Sequence, residues 1–134
     1  MAGEFAMTLL DTHVFVWLAS DQGELSPAAL AAIKKDRDSL FVSVVTAWEV
    51  ALLHKKGRLF LPLPPDEFMQ KALMHYGVHE LQISREIVMA CVALPDIHND
   101  PFDRILVAEA LHNKCRIITK DGKIPLYPGV KVIW

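Results

Sequence analysis

Short apolar, β-branched runs alternate with helical stretches along this chain, and this alternation constrains the fold more than any other feature of the sequence. No tight Asn-Gly hairpin joins two of the runs, so neighbouring strands need crossover connections and are expected to pair in parallel. Helices must then cover both faces of the sheet. The sequence therefore predicts an α/β fold, a single three-layer domain with a mostly parallel central sheet flanked by helices. The predicted strands are residues 7–10, 40–45, 79–83, 115–119 and 130–134.

The helices are located by their end signals. The segment after strand 40–45 is predicted to be helical from about Thr46, and Gly57 ends it because glycine readily adopts the left-handed conformation that closes a helix. Asp66 is interpreted as the N-cap of the next helix, since an aspartate side chain can accept a hydrogen bond from the first free backbone amides. Gly77 is predicted to end that helix.

Length and composition limit the domain organisation. The chain has 134 residues, which is enough for one domain with a substantial core and too few for two ordinary ones. A hydrophobic content of 52% excludes a disordered chain. The net charge of −2 provides no overall basic field, so a nucleic-acid substrate would need local cations or a bound metal ion. Residues 1–6 are interpreted as an expression-tag remnant and residues 7–134 as the folded domain.

Cysteine usage and hydropathy indicate the compartment. Cys91 and Cys115 are too few for a disulfide framework and form no CxxC motif, so both are predicted to be buried, reduced thiols. The longest apolar run is far shorter than the ~20 residues of a membrane helix, and the first residues lack the regions of a secretory signal. We therefore expect a cytoplasmic protein with no membrane partner. The apolar surplus favours a protein partner or self-association.

Four acidic residues are placed at the ends of predicted strands or at a helix start. Asp11 directly follows the first strand, Glu49 follows the second by four residues, and Asp121 follows strand 115–119 by two. Asp103 is in the first turn of a predicted helix. Because ligands bind beyond the carboxyl ends of parallel strands, we expect these acids to converge there. Clustered carboxylates repel one another unless a cation neutralises them, and hard oxygen ligands suit Mg²⁺ or Mn²⁺. The pattern predicts phosphodiester hydrolysis by a metal-activated water.

Each acid also has a structural interpretation. Thr46-x-x-Glu49 matches a capping box, and Asp100 before a proline is a good N-cap. The negative charge of Asp103, at the third helical position, interacts favourably with the helix dipole. Asp11 is a candidate N-cap of the helix that follows it. Taken one at a time, the acids are better explained by these helix-end preferences. Taken jointly they favour a metal site, because a carboxylate in the otherwise apolar block around Asp11 is costly unless something specific satisfies it.

Four segments carry these acids, and they resemble the four acidic motifs of PIN domains, most of all those of the VapC-type toxins of bacterial toxin–antitoxin pairs. The segments are LLDTH at residues 9–13, SVVTAWEV at 43–50, HNDPFDR at 98–104 and ITKD at 118–121. Residues 130–134 also resemble the family's final strand. The resemblance extends from about residue 7 to residue 134, and four motifs in order are a specific signal although each alone is weak.

The resemblance implies a parallel sheet flanked by helices, Mg²⁺- or Mn²⁺-dependent ribonuclease activity, homodimers, and inhibition by a cognate antitoxin that covers the acidic groove. Carried over by motif, Asp11 and Asp103 are expected to be the principal metal ligands, and Glu49 and Asp121 to complete a catalytic quartet. The possible auxiliary residues, which would assist the quartet or orient a ligand, are Asp100, Thr12 and Thr119.

Two basic clusters are candidates for binding the phosphates of an RNA substrate. Lys55, Lys56 and Arg58 end the helix that carries Glu49, and Lys120 adjoins the last acidic motif. Cations at a helix C-terminus also stabilise the helix dipole, so the structural and the phosphate-binding interpretations of the first cluster are equally supported.

Several residues beside the motifs are interpreted as structural. His13 and His98 adjoin the acidic motifs, so lining of a substrate groove is one interpretation of each. A satisfied structural histidine is the favoured interpretation, because no nucleophile is nearby. Arg104 is expected to pair with a surface acid. The three tryptophans, Trp17, Trp48 and Trp134, are expected to be core or dimer residues rather than base-stacking platforms.

Two functions from different classes remain open. The first is an endoribonuclease toxin of a toxin–antitoxin pair. The alternative is a non-catalytic metal- and partner-binding module of the same fold, which an RNA-cleavage assay with and without a chelator would distinguish. A phosphotransfer protein is disfavoured, because Asp11 is followed by Thr12 and His13 and so forms no DxD motif.

Overall fold

The computed structural model describes residues 5–134, and these residues form five strands and six α-helices. The strands are β1 (Met7–Leu10), β2 (Leu40–Ser43), β3 (His79–Leu81), β4 (Cys115–Ile118) and β5 (Val132–Ile133). The helices are α1 (Thr12–Ser20), α2 (Pro27–Lys35), α3 (Val44–Lys55), α4 (Pro65–Tyr76), α5 (Arg85–Ala93) and α6 (Pro101–Asn113). Residues 1–4 of the segment interpreted as a tag remnant lie outside the described residues.

The strands form one sheet in the order β3-β2-β1-β4-β5, and all four neighbouring pairs are parallel. Strand β1 is central: Leu9 is in register with Phe41 of β2 on one side and with Ile117 of β4 on the other. The predicted parallel α/β sheet is therefore confirmed. Since the strands point the same way, their carboxyl ends meet at a single edge of the sheet.

Side chains alternate between the two faces of the sheet, and each face has its own core. Leu10, Val42 and Ile118 pack with α1, α2, α3 and α4 in the larger core. Leu9 and Ile117 pack with α6 on the other face. Helix α5 packs against α6, which completes the third layer. The predicted three-layer arrangement is confirmed, and both predicted buried cysteines are free and buried.

Helix α3 begins earlier than predicted. Val44 and Val45 are its first two residues, and the hydroxyl of Ser43 caps it by accepting the backbone N–H of Val45 at 3.1 Å. The prediction that the strand continues to residue 45 was wrong, because a β-branched apolar pair also fits the start of a buried helix. The capping-box interpretation was wrong too, since Thr46 is the third residue of α3 and not its N-cap. Glu49 therefore lies in the second turn of the helix.

Two other helix ends test the capping predictions. Helix α4 begins at Pro65, whose fixed φ suits the first helical position, so Asp66 is its second residue and not its N-cap. Gly77 ends α4 with a φ of 63°, as predicted. Within residues 5–134, no helix combines the length and the apolar character needed to cross a bilayer.

Candidate active site

The carboxyl ends of β1, β2 and β4 border a cavity of about 320 Å³. Four acids from four parts of the chain line it: Asp11 after β1, Glu49 on α3, Asp103 in the first turn of α6, and Asp121 after β4. Asp100, the N-cap of α6, lines it as well. The structure thus brings together the acids that the sequence singled out, although they span more than one hundred residues of chain.

One buried hydroxyl connects two of these acids. Thr119 donates a hydrogen bond to Oδ2 of Asp11 and accepts the backbone N–H of Asp121 at 3.0 Å. The other oxygen of Asp11 accepts the backbone N–H of Val14 at 2.8 Å. Asp11 therefore caps α1, as its structural interpretation stated, and also lines the cavity. These two hydrogen bonds offset part of the cost of placing a carboxylate in an apolar block.

Burial dominates the electrostatics of the cavity. It raises the pKa values of Asp11 and Glu49, in each case more than hydrogen bonds lower them. It also raises the pKa of Asp103 to about 6, and the negative charge of Asp100 adds to this. Such shifts are typical of carboxylates that share a space with too little positive charge. A cation entering the cavity would be attracted to all three acids.

Asp121 has the opposite shift. Burial alone would raise its pKa, but the backbone N–H of Lys123, at 2.7 Å from Oδ1, and the ring of His98 together lower it. Asp121 is therefore held as a carboxylate by its hydrogen bonds. An ionised, pre-oriented carboxylate is a suitable ligand for a hard cation.

His98 is the main site residue that sequence reasoning did not place in the site. Its Nε2 lies 3.1 Å from Oδ2 of Asp121, and its Nδ1 lies 2.9 Å from the hydroxyl of Tyr127. A nitrogen of His98 and carboxylate oxygens of Asp103 and Asp121 lie within 4.8 Å of one another, a spacing at which they could hold a metal ion. The position of His98 at the head of the HNDPFDR segment was the available signal, whereas Tyr127 has no local sequence signature.

The basic residues separate into two places. Lys120 lines the cavity. Lys55, Lys56 and Arg58 are exposed at the other end of α3, which is roughly 18 Å long at 1.5 Å per residue. The cavity begins at the N-terminal end of that helix, where Ser43 lines it. Only Lys120 of the four predicted phosphate-binding residues thus lies beside the acids.

Aromatic side chains flank the cavity. Trp48 was expected to be either a core or a dimer residue, and at 62% exposed it is not a core residue. Its ring contacts that of Phe102 edge to face, with the ring centroids 5.0 Å apart. Trp17 lines the cavity and contacts both His13 and Trp134. His13 is exposed and lines the cavity, which favours the groove-lining interpretation over that of a satisfied structural histidine.

Arg104 has a different partner from the expected surface acid. Its guanidinium donates to four backbone carbonyls at the end of α5 and in the loop before α6, those of Cys91, Leu94, Pro95 and His98. Among the described residues, the carbonyls of Leu94 and His98 accept hydrogen bonds from Arg104 alone, whereas those of Cys91 and Pro95 also accept a backbone N–H. A cation at the end of α5 also complements the helix dipole. Arg104 therefore holds in place the loop that carries His98.

Replacing Arg104 with alanine is expected to lower the free energy of unfolding by about 2–3 kcal/mol, because hydrogen bonds from a charged donor are lost and the carbonyls of Leu94 and His98 lose their hydrogen-bond donor. Urea denaturation of Arg104→Ala measures this. Arg85→Ala, at an exposed position at the start of α5, is the control and is expected to be nearly neutral. Equal stabilities for the two variants would contradict the bridging function of Arg104.

Comparison with known proteins agrees with this arrangement. The PIN-domain family model matches residues 8–129. Ribonuclease VapC22 of Mycobacterium tuberculosis is 33% identical over 129 residues, which cover 94% of this chain and 97% of that protein. A toxin–antitoxin complex from Klebsiella pneumoniae has a chain with 25% identity and a TM-score of 0.65, with 92% of this chain and 94% of that chain covered.

Two further solved structures share the fold at low sequence identity. One is VapBC2 from Rickettsia felis bound to a DNA fragment from its promoter, with 11% identity and a TM-score of 0.69. The other is DNA-bound VapBC from Salmonella typhimurium, with 12% identity and a TM-score of 0.67. In both, 94% of this chain and 96% of the other are covered. The fold, the position of the acidic cavity and the match over residues 8–129 lead to one conclusion: this chain belongs to the PIN-domain family.

Proposed function

We propose that this chain is a Mg²⁺- or Mn²⁺-dependent endoribonuclease and the toxin of a toxin–antitoxin pair. The observation that carries the proposal is the convergence of the acids of four separate segments in one cavity. The family match spans all four segments, and a relative named as a ribonuclease is similar over nearly its whole length. Fold alone would not support a function, but the acidic cavity supplies the chemistry.

The donor set fits a hard divalent cation. In this proposal Asp11 and Asp103 are the principal ligands, and Glu49 and Asp121 complete the catalytic quartet. Oxygen-rich sites of this kind suit Mg²⁺ or Mn²⁺ rather than Zn²⁺. The raised pKa of Asp103, about 6, reflects burial and nearby negative charge that a cation would neutralise.

Three residues support the quartet in this proposal. Thr119 fixes Asp11 through its hydroxyl. Thr12 is buried beside α3, with its hydroxyl 3.4 Å from that of Thr46. Asp100 lines the cavity while its Oδ1 accepts the backbone N–H of Phe102 at 2.8 Å, so it adds negative charge from a fixed position. Such supporting contacts orient ligands and affect the affinity of a site for its metal.

The proposed reaction is hydrolysis of an RNA phosphodiester by water. When bound, the cation would neutralise phosphate charge and make water easier to deprotonate. The hydroxyls of the lining are poor nucleophile candidates, because Ser43 caps α3 while Thr12 and Thr46 are buried against each other. Water is therefore the proposed nucleophile, with no covalent enzyme intermediate. Lys120 would contact a substrate phosphate beside the acids.

The proposed partners are a cognate antitoxin, the RNA substrate and a second copy of the chain, in the cytoplasm. The antitoxin is supported by the similarity to a chain of a solved toxin–antitoxin complex. Self-association is supported by large apolar side chains that are exposed in the single chain, such as Met89 and Val92 on α5. The basic cluster at the far end of α3 would extend the RNA contact beyond Lys120.

Purified, antitoxin-free protein is expected to cleave a mixed pool of tRNA and mRNA into discrete fragments when Mg²⁺ or Mn²⁺ is present. Excess EDTA should abolish the cleavage, and adding back Mn²⁺ should restore it. The carboxylates of the cavity and the phosphodiester are both negatively charged, so they repel each other unless a cation neutralises them. Gel or sequencing analysis of the fragments measures the reaction and begins to identify the RNA target.

The chelator arm also separates the two functions. Fragments that persist in EDTA would contradict a metal-dependent mechanism. Binding of Mn²⁺ without any cleavage of the pool would favour the non-catalytic metal- and partner-binding module.

A further inference from the structure

A buried side-chain network lies directly behind one of the cavity acids. Tyr127 is 2% exposed and His98 is 8% exposed, and their rings are parallel, with centroids 5.5 Å apart. The hydroxyl of Tyr127 lies 3.1 Å from the backbone nitrogen of His98 and 2.9 Å from its Nδ1. The opposite ring nitrogen, Nε2, lies 3.1 Å from Oδ2 of Asp121.

Counting donors and acceptors fixes where the protons of this network lie. The backbone N–H of His98 can only donate, so the hydroxyl oxygen of Tyr127 accepts it. The hydroxyl hydrogen then needs an acceptor, and among the hydrogen bonds of the described residues that acceptor is Nδ1 of His98. With Nδ1 acting as acceptor, the neutral ring carries its proton on Nε2 and donates it to Asp121.

The other protonation states leave a buried group unsatisfied. A proton on Nδ1 alone would leave the hydroxyl hydrogen of Tyr127 without a partner and would set the Nε2 lone pair against the carboxylate of Asp121. A doubly protonated ring would likewise leave the hydroxyl hydrogen of Tyr127 without an acceptor. Leaving a buried donor unpaired costs about 1–3 kcal/mol, so the Nε2–H form is favoured by the geometry itself.

We propose that Tyr127 and His98 are positioning residues: the Tyr127 hydroxyl selects the Nε2–H tautomer of His98, and His98 in turn orients Asp121. His98 then contacts the acid and is not a ligand of the cation, although its nitrogen lies within metal-binding distance of the acids. The inference rests on the proposed nuclease function of the same cavity.

The carboxylate of Asp121 is consequently restrained from two sides. Oδ1 accepts the backbone N–H groups of Lys123 at 2.7 Å and Ile124 at 3.3 Å, while Oδ2 accepts the His98 proton. Without the imidazole, rotation of the carboxyl group would be limited only by the contacts of Oδ1. Partners of this kind typically change metal affinity or activity by about 10–100-fold when they are removed.

The tautomer can be measured on the wild-type chain without any activity assay. Long-range ¹H–¹⁵N correlation spectra distinguish protonated from unprotonated imidazole nitrogens, and the His98 signals are assigned by their loss in His98→Gln. The expected result is a protonated Nε2 and an unprotonated Nδ1 at pH 7.5, both unchanged when Mg²⁺ is added. A protonated Nδ1, or loss of the Nε2 proton on adding Mg²⁺, would overturn the proposal in favour of a ligand.

Tyr127→Phe tests the positioning itself. It removes one hydroxyl from a buried ring, and the Mn²⁺ concentration for half-maximal RNA cleavage is expected to rise, or kcat to fall, by about 10–100-fold. The matched control is Tyr76→Phe, which removes the chain's other phenolic hydroxyl from a separate cleft and is expected to match the wild type. If folded Tyr127→Phe matched the wild type in both its Mn²⁺ requirement and its kcat, the result would contradict the proposal.

Thermal unfolding of Tyr127→Phe and RNA cleavage by the wild type distinguish a misfolded variant from a failure of the proposed function. If Tyr127→Phe does not fold, as judged by thermal unfolding, the wild-type tautomer alone decides the proposal. If the wild-type chain cleaves no RNA, the proposed function fails, and comparing the His98 tautomer in the wild type and in Tyr127→Phe still shows whether Tyr127 controls the proton of His98.

Discussion

Replacing Asp103 with asparagine is expected to lower kcat/KM for RNA cleavage by at least about 100-fold while the chain remains folded. The loss should exceed that for a supporting residue, which is about 10–100-fold, because Asp103 is proposed to contact the cation directly. Asparagine keeps the size of the side chain and removes its charge. Since burial and the neighbouring acids raise the pKa of Asp103 to about 6, the ionised form is disfavoured in the fold.

The stability of this variant gives a second readout. In metal-free buffer at pH 7.5, Asp103→Asn is expected to unfold at the same temperature as the wild type or at a higher one, because a repelled charge has been removed. Asp66→Asn is the matched control, since Asp66 is an exposed acid in the first turn of α4. Full activity of Asp103→Asn would refute its assignment as a ligand, whereas a lower unfolding temperature would attribute the lost activity to misfolding.

Glu109 is expected to make the fold less stable as the pH rises, and Glu109→Gln to remove this effect. Glu109 lies on α6 with no exposed surface, and neither of its oxygens has a hydrogen-bond partner within the described residues. Burial raises its pKa from 4.5 to about 7. Because the folded pKa is above the unfolded one, the contribution to stability is complete below about pH 4.5 and is lost as the pH rises through 7. The shift corresponds to about 3 kcal/mol.

Urea denaturation at pH 4.5 and pH 8 measures this effect as a difference between variants. The free energy of unfolding of Glu109→Gln, relative to the wild type, is expected to increase by about 3 kcal/mol between the two pH values. The cavity acids are present in both proteins, so their titration cancels. Glu80→Gln, at an exposed position on β3, is the control and should show no such increase. A difference that does not change with pH would show that Glu109 is not protonated in the fold.

Most elements of the fold were predictable because β1, β2 and β4 are largely apolar runs bounded by helix signals, whereas β3 was predicted from its alternation of polar and apolar residues. The boundaries were less predictable. Val44 and Val45 fit the end of a strand and the start of a buried helix equally well, and only the hydrogen bond that Ser43 accepts from Val45 decides between them. Asp66 and Pro65 are both favourable at a helix start, and the proline occupies the first position.

The site was predictable in so far as its residues adjoin strand ends. Asp11 follows β1 directly and Asp121 lies three residues after the end of β4, so topology alone brings them to one edge. The network of His98 and Tyr127 was not predictable, because 29 residues separate the two and neither neighbourhood encodes the contact. For Arg104 the partners are backbone carbonyls, which have no sequence signature at all.

The central position of β1 has a consequence for how the protein is made. Strand β1, the first to leave the ribosome, pairs with β4. Asp11 also accepts a hydrogen bond from Thr119, which is 108 residues further along the chain. Contacts of such long range form late, because a large loop must close before they are made. At a synthesis rate of about 5–20 residues per second, Thr119 is added to the chain at least several seconds after Asp11. If the proposed site needs all four acids, we expect it to be complete only after Asp121, 13 residues before Trp134, has left the ribosome.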